Sequence, residues 1–203
     1  MQVRPLAVPD AFEFTPTVHA DPRGAFLEMF RADVLADTVG HRLHLEQSNC
    51  SVSSRGSLRG IHFADVPPGQ AKYVTCVSGA GLDVVVDLRV GSPTFGAWDT
   101  VLLDERDRRA VYVAEGLGHA FLALTDGATL VYLCSEGYRP EHEHAVNALD
   151  PELGIGWPAD VDPVLSPKDA AAPGLQSARE SGLLPRYDDC RTFYDELRRP
   201  VDG

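Results

Sequence analysis

An all-β jelly roll is the fold this sequence predicts, and two observations predict it. From about residue 44 to 147, short runs rich in Val, Leu, Tyr and Phe alternate with clusters of Gly, Pro and Asp, the spacing of an antiparallel barrel or sandwich. The runs come to about eight, the strand number of a jelly roll.

Taken in order, the expected strands are HLEQSNCSVS, SLRGIHF, KYVTCVS, LDVVVDLRV, DTVLLD, AVYVAE, HAFLALT and TLVYLCSE, with turn signals PPGQ, GSPTFG, DERD and TDGA between them. Ahead of them, EFTPTVHADPRGAFLEMF reads as a hairpin about Asp21-Pro22-Arg23-Gly24, followed by a short amphipathic helix over RADVLADTV. Behind them, SPKDAAAPGLQSARESG and YDDCRTFYDELRR carry helical composition. The expected organisation is one domain over 1–203: an N-terminal arm over 1–43, the barrel over 44–147 and a helical extension over 165–203. The flanks read as a lid or a dimer arm.

A chain of 203 residues, 44% hydrophobic and 24% charged, is long enough to bury a real core. The net charge of −12 disfavours any role that wraps a polyphosphate backbone, so nucleic acid is not an expected partner. A few arginines in one cleft still suffice to hold a small anion. The opening MQVRPLAVPDAFEF has no apolar signal core, and no stretch approaches the roughly 18 apolar residues of a membrane span. The expected setting is the cytoplasm, without a membrane partner. Cys50, Cys76, Cys134 and Cys190 lack CxxC spacing and read as buried, reduced thiols.

Three polar residues interrupt apolar strands where an inward-facing side chain would meet a barrel interior: His62, Lys72 and Tyr132. Singly, each has an ordinary structural explanation. Together, a proton acceptor, a fixed cation and a phenol in one cavity supply what is needed to make and quench an enolate. Alternation along LDVVVDL puts Asp83, Val85 and Asp87 on one face. An acid aimed into a barrel must be paired or protonated, so Asp83 is a candidate to orient His62, or one or both acids cap a polar rim. A metal site is the competing reading, because AEGLGHAF resembles the second motif of a metal-binding cupin, with His119 in the ligand position. Against it, the first motif offers a single His62 and then Lys72, an ammonium where a carboxylate ligand is usual. No metal and no cofactor are therefore expected.

The segments DPRGAFLEMF, QSNCSVSSRGSLRGIHF, PPGQAKYV, DVVVDLRVGSPTFGAW, VAEGLGHAFLAL, LVYLCSEGYRPEHEH, LDPELGIGWP and LSPKD run in register over most of the chain. In these blocks the sequence resembles the dTDP-4-dehydrorhamnose 3,5-epimerase family, deoxysugar epimerases. The resemblance implies a cupin-type jelly roll, a homodimer, a nucleotide-sugar substrate and epimerisation at C3, C5 or both. It implies His62 as the base, Asp169 as the carboxylate that orients it, Lys72 beside the enolate oxygen and Tyr132 as the proton donor on the opposite face. It further implies Arg23 and Arg59 at the diphosphate, Gln47, Asn49 and His119 at the sugar, Tyr138 and Glu143 at the nucleoside, and Phe26 and Glu28 among the substrate-binding positions. Arg59 and His62 differ by an odd number, so a regular strand would part them; a bulge at Gly60 would turn both inward.

Ser48, Ala64, Leu133 and the GLGHAF segment depart from the commoner family pattern and resemble members of antibiotic deoxysugar pathways, some of which invert one centre. The alternatives to an epimerase are a non-catalytic nucleotide-sugar-binding jelly roll and a metal-dependent cupin enzyme.

Overall fold

The computed structural model describes residues 1–199; residues 200–203 of the expected C-terminal extension lie outside the described part. The chain opens with β1 (Gln2–Pro5) and β2 (Ala11–Thr15), makes a hairpin of β3 (His19–Asp21) and β4 (Gly24–Phe26), and turns through α1 (Ala32–Val39). There follow β5 (Gln47–Ser53), β6 (Ser57–Ala64), β7 (Lys72–Ser78), β8 (Ala80–Asp87), β9 (Trp98–Asp104), β10 (Ala110–Val113), β11 (Leu117–Ala123) and β12 (Ala128–Cys134). The last elements are β13 (Glu143–Ala145), β14 (Val164–Leu165), α2 (Pro167–Ala170), α3 (Leu175–Glu180) and α4 (Tyr187–Leu197).

One sheet has the order β1-β2-β10-β7-β12-β5; the other runs β13-β6-β11-β8-β9, with β14 parallel to β6. The strands β5 to β12 lie where the apolar runs place them. Residues 1–15, read from sequence as part of an arm, instead add β1 and β2 to the first sheet, and Phe14 of β2 is 1% exposed in the core. The short β13 and β14 were also unforeseen.

The sheets share an apolar cluster: Val74, Val111 and Leu130 from the first meet Val85, Val101 and Phe121 from the second. The second sheet is covered on its other face as well, where Ile61, Val84, Val86 and Leu122 pack with Leu153, Leu175 and Ala178. That double burial leaves no solvent face to LDVVVDL: Val84, Val86 and Leu88 pack on one side, and on the other Val85 joins the core while Asp83 and Asp87 are buried with polar partners. Each such side chain taken fully from water contributes about 1.5–3 kcal/mol of transfer free energy.

Asp87 does not serve the cavity. Its carboxylate is sealed in the core by Arg89, whose Nε and Nη2 donate to it at 2.9 Å, and by the hydroxyls of Ser92 and Thr94. The same guanidinium reaches Asp10 at 2.7 Å and the Tyr194 hydroxyl at 3.3 Å, tying the N-terminal turn and α4 to β8. Cys76, Cys134 and Cys190 are buried, as expected, but Cys50 is exposed, because it lies with Ser48 and Val52 on the outward face of β5. No helix among the described residues is long and apolar enough to cross a membrane.

Candidate active site

A cavity of about 310 Å³ is lined by Gln47, Asn49, Arg59, His62, Gln70, Lys72, Tyr132, Tyr138, Glu143, His144 and residues of the α2 segment. It meets an inner pocket of about 150 Å³ at Arg59, His62, Lys72 and Tyr132, and Ser51, His119, Phe121 and Leu130 complete that pocket. The strands β5, β6, β7, β11 and β12 therefore carry one residue or more each to a single space.

Gly60 makes the convergence feasible. His62 pairs with His119 and Arg59 with Phe121, so two residues of β6 stand opposite one of β11, a bulge that restores both side chains to one face. Gly60 has φ +109°, and an added Cβ would lie 2.5 Å from the His119 carbonyl oxygen. Only glycine meets both demands. The guanidinium of Arg59 is steadied by Nε donating to the Ser53 hydroxyl at 3.0 Å.

His62 Nε2 lies 2.7 Å from Asp169 Oδ1. The Ser166 hydroxyl donates to Asp169 Oδ2 at 2.9 Å, while its oxygen accepts the Asp169 backbone N–H at 3.1 Å. Ser166 is thus the N-cap of α2 and a support for the carboxylate. Its part was missed in the sequence, although Ser166-Pro167-Lys168-Asp169 has the spacing of a capping box. A carboxylate has only acceptors to offer. The proton therefore belongs on Nε2, and Nδ1 carries the lone pair. Burial holds the imidazole below its ordinary pKa, against the raising influence of Asp169, so the ring is neutral at neutral pH.

Asp83, the other candidate to orient His62, does not pair with it. Asp83 Oδ2 bonds His119 Nε2 at 2.7 Å, because β8 is the neighbour of β11 and not of β6. Asp83 Oδ1 is buried without a partner.

Lys72 makes no hydrogen bond or salt bridge among the described residues and faces the cavity. Burial lowers its pKa, opposed mainly by Glu143. Burial raises that of Tyr132, with Arg59 opposing, which keeps the phenol protonated. Gln47 donates to Asn49 at 2.8 Å and accepts from the Tyr138 backbone N–H at 2.8 Å, which links β5 to the loop at the cavity mouth.

Three expected binding residues are not brought to this cavity by the chain's own fold. Arg23 bonds Asp21 within the hairpin, Phe26 is 68% exposed, and Glu28 pairs with Arg31. The hairpin strands β3 and β4 pair only with each other.

The cavity thus holds a supported neutral imidazole, a lysine without a hydrogen-bond or ion-pair partner among the described residues and a protonated phenol. Residues 5–177 match the family described as dTDP-4-dehydrorhamnose 3,5-epimerase. The chain belongs to that family. A Mycobacterium tuberculosis rmlC epimerase structure aligns with a TM-score of 0.95 at 55% identity, covering 98% of this chain and 100% of the other. ChmJ, a 3'-monoepimerase from Streptomyces bikiniensis in complex with dTDP-quinovose, aligns at 0.94 and 52% identity over 96% and 98% of the two chains. The dTDP-4-dehydrorhamnose 3-epimerase of Streptomyces niveus is 56% identical over 94% of this chain and 92% of its own length. Both double and single epimerases are therefore similar to this member of the family. No group of three or more His, Cys, Asp or Glu among the described residues is placed to hold a metal ion.

Proposed function

We propose that this protein epimerises a dTDP-4-keto-6-deoxyhexose at C3, C5 or both through an enolate, in deoxysugar biosynthesis. The observation that carries the reading is the convergence of His62, backed by Asp169, with Lys72 and Tyr132 on one pocket. His62 Nδ1 takes the proton from the carbon beside the ketone, and the C–H electron pair moves into the ring as the enolate, its charge on the C4 oxygen. Lys72 meets that charge with a fixed cation, the main requirement for making such a carbon acid removable. The Tyr132 hydroxyl then delivers a proton to the opposite face, and exchange with solvent restores both groups. Neither cofactor nor metal enters these steps.

Arg59 holds the diphosphate by paired guanidinium donors; Gln47, Asn49 and His119 hold the sugar, and Tyr138 and Glu143 the nucleoside. We further propose a single cupin-type jelly-roll domain and a homodimer located in the cytoplasm. The exposed hairpin is the dimer arm in this reading, and Arg23, Phe26 and Glu28 join a substrate site only through it.

The test is proton NMR of dTDP-4-keto-6-deoxyglucose in deuterated water. The wild-type protein should introduce deuterium at C3, C5 or both, and His62→Ala should not. Binding without exchange at either carbon would sink the catalytic reading in favour of a non-catalytic sugar-nucleotide module.

A further inference from the structure

The segment after β12 carries Tyr138 and Glu143 to the cavity mouth, held by a short pairing with β6 that reciprocal Ile61–Val146 backbone bonds at 3.0 and 2.9 Å continue past β13. β13 has only three residues and pairs as an edge strand with β6: Glu143 with Ala64, His144 with Phe63, Ala145 with His62. Residues directly opposite one another share a face, so Glu143 stands on the face of His62. His142 and His144 take the other face, on the side of Phe63 and Asp65, and His144, on the edge strand, also reaches the cavity wall. A slip of one residue would exchange the two faces and turn Glu143 away from the site.

On that other face a side chain locks the register. Asp65, just past the end of β6, receives His144 Nε2 on Oδ1 at 2.8 Å and His142 Nδ1 on Oδ2 at 3.1 Å. Its backbone N–H donates to the His142 carbonyl at 3.0 Å. The His144 ring also packs on Phe63, with centroids 5.5 Å apart. The two histidines are two residues apart and donate to one carboxylate as a common clasp, which fits the register that aims Glu143 inward.

We propose that Asp65, His142 and His144 form a register clasp that positions Glu143 and the Tyr138 loop for the nucleotide half of the substrate. Asp65 touches none of the reacting atoms and does not line the cavity; it is a positioning residue. The inference rests on the reading of Glu143 and Tyr138 as nucleoside-binding groups. It requires that losing the clasp weaken binding by much more than it slows the proton transfers, which Glu143 touches only through the charge of Lys72.

The experiment measures dTDP affinity by calorimetry and, separately, the kinetics of epimerisation. Asp65→Ala should weaken dTDP binding and raise KM about tenfold, with kcat within about twofold of wild type, the pattern of lost uniform binding. Asp65→Asn, which accepts from one histidine only, should lie between the two and serves as the folded control if Asp65→Ala is unstable. In a Glu143→Ala background the loss of Asp65 should add little, because contacting groups that act through one another are not additive. Unchanged dTDP affinity in both Asp65 variants, full additivity with Glu143→Ala, or a fall in kcat matching the rise in KM would overturn the clasp. A wild-type protein that binds dTDP but exchanges no deuterium would instead defeat the epimerase reading, while the affinities would still decide the clasp.

Discussion

His62 and His119 stand directly opposite one another on β6 and β11, and each sends Nε2 to a carboxylate oxygen 2.7 Å away. Their surroundings divide them. The His62 side chain is 35% exposed to the cavity, and Asp169 comes from a capped helical turn after the sheets, its second oxygen satisfied by Ser166. The His119 side chain is 13% exposed, and Asp83 comes from the adjacent strand with one oxygen left bare. An acid/base group must reach substrate and solvent and cycle its proton, which suits the first pair. A fixed sugar-facing contact needs neither, which suits the second. Equal hydrogen-bond lengths thus conceal unequal tasks.

Removing the rings themselves should give the largest effect. His62→Gln is expected to cut deuterium incorporation about a thousandfold, within the range of a lost general base. His119→Gln should cut it about tenfold to a hundredfold, as for one lost polar contact to the developing charge or its neighbours. Exchange rates for the two variants at saturating substrate make the check. Equal losses would show that the two histidines share the proton transfer, and the division drawn above would fall.

The next effect comes from Asp169 and is read in pH as well as rate. Asp169→Asn offers Nε2 an amide that can donate, which favours the tautomer with the proton on Nδ1 and silences the base; a loss of about a hundredfold in kcat/KM is expected. Burial depresses the His62 pKa, so the acid limb of the wild-type profile should have its midpoint below the usual histidine value of about 6.5. Asp169 is the raising influence, and removing its charge should move the limb further down. The same depression has a sign in stability. The folded state binds fewer protons than the unfolded chain between the two pKa values, so this contribution is present above the unfolded value and lost as pH falls through the folded one. A limb that moves up in Asp169→Asn would mean that the titrating group is not His62.

The contrast also marks what could be read from sequence. The strands that carry His62, Lys72 and Tyr132 were legible because alternating apolar runs and turn residues define them locally. The Gly60 bulge was legible once the resemblance placed both Arg59 and His62 in the site, since their odd spacing then demands one. The partner of His62 was not deducible from spacing. Asp83 and Asp169 are both distant in sequence, and only sheet order, which places β11 between β6 and β8, assigns Asp83 to His119. The family resemblance supplied Asp169, and the helical cap that holds it was overlooked. Nothing local marked Asp65, whose two histidine partners lie 77 and 79 residues away. The N-terminal strands were missed because MQVRP and AFEFT are short, and β2 joins the main sheet through β10, about a hundred residues on.

The smallest effect should come from Asp83. An asparagine there keeps a carbonyl oxygen for His119 Nε2–H and removes the charge, while the bare Oδ1 position gains no partner from the surrounding core. If His119 acts as a neutral contact to the sugar, Asp83→Asn costs about 1 kcal/mol, the net worth of one hydrogen bond made weaker, or roughly fivefold in kcat/KM. If instead the Asp83 charge keeps His119 cationic beside the enolate, the loss should approach that of Asp169→Asn. Measuring the two asparagine variants side by side separates these cases. We expect the small effect, because Lys72 already stands in the same pocket to meet the enolate charge, which leaves His119 the part of a hydrogen-bonding contact.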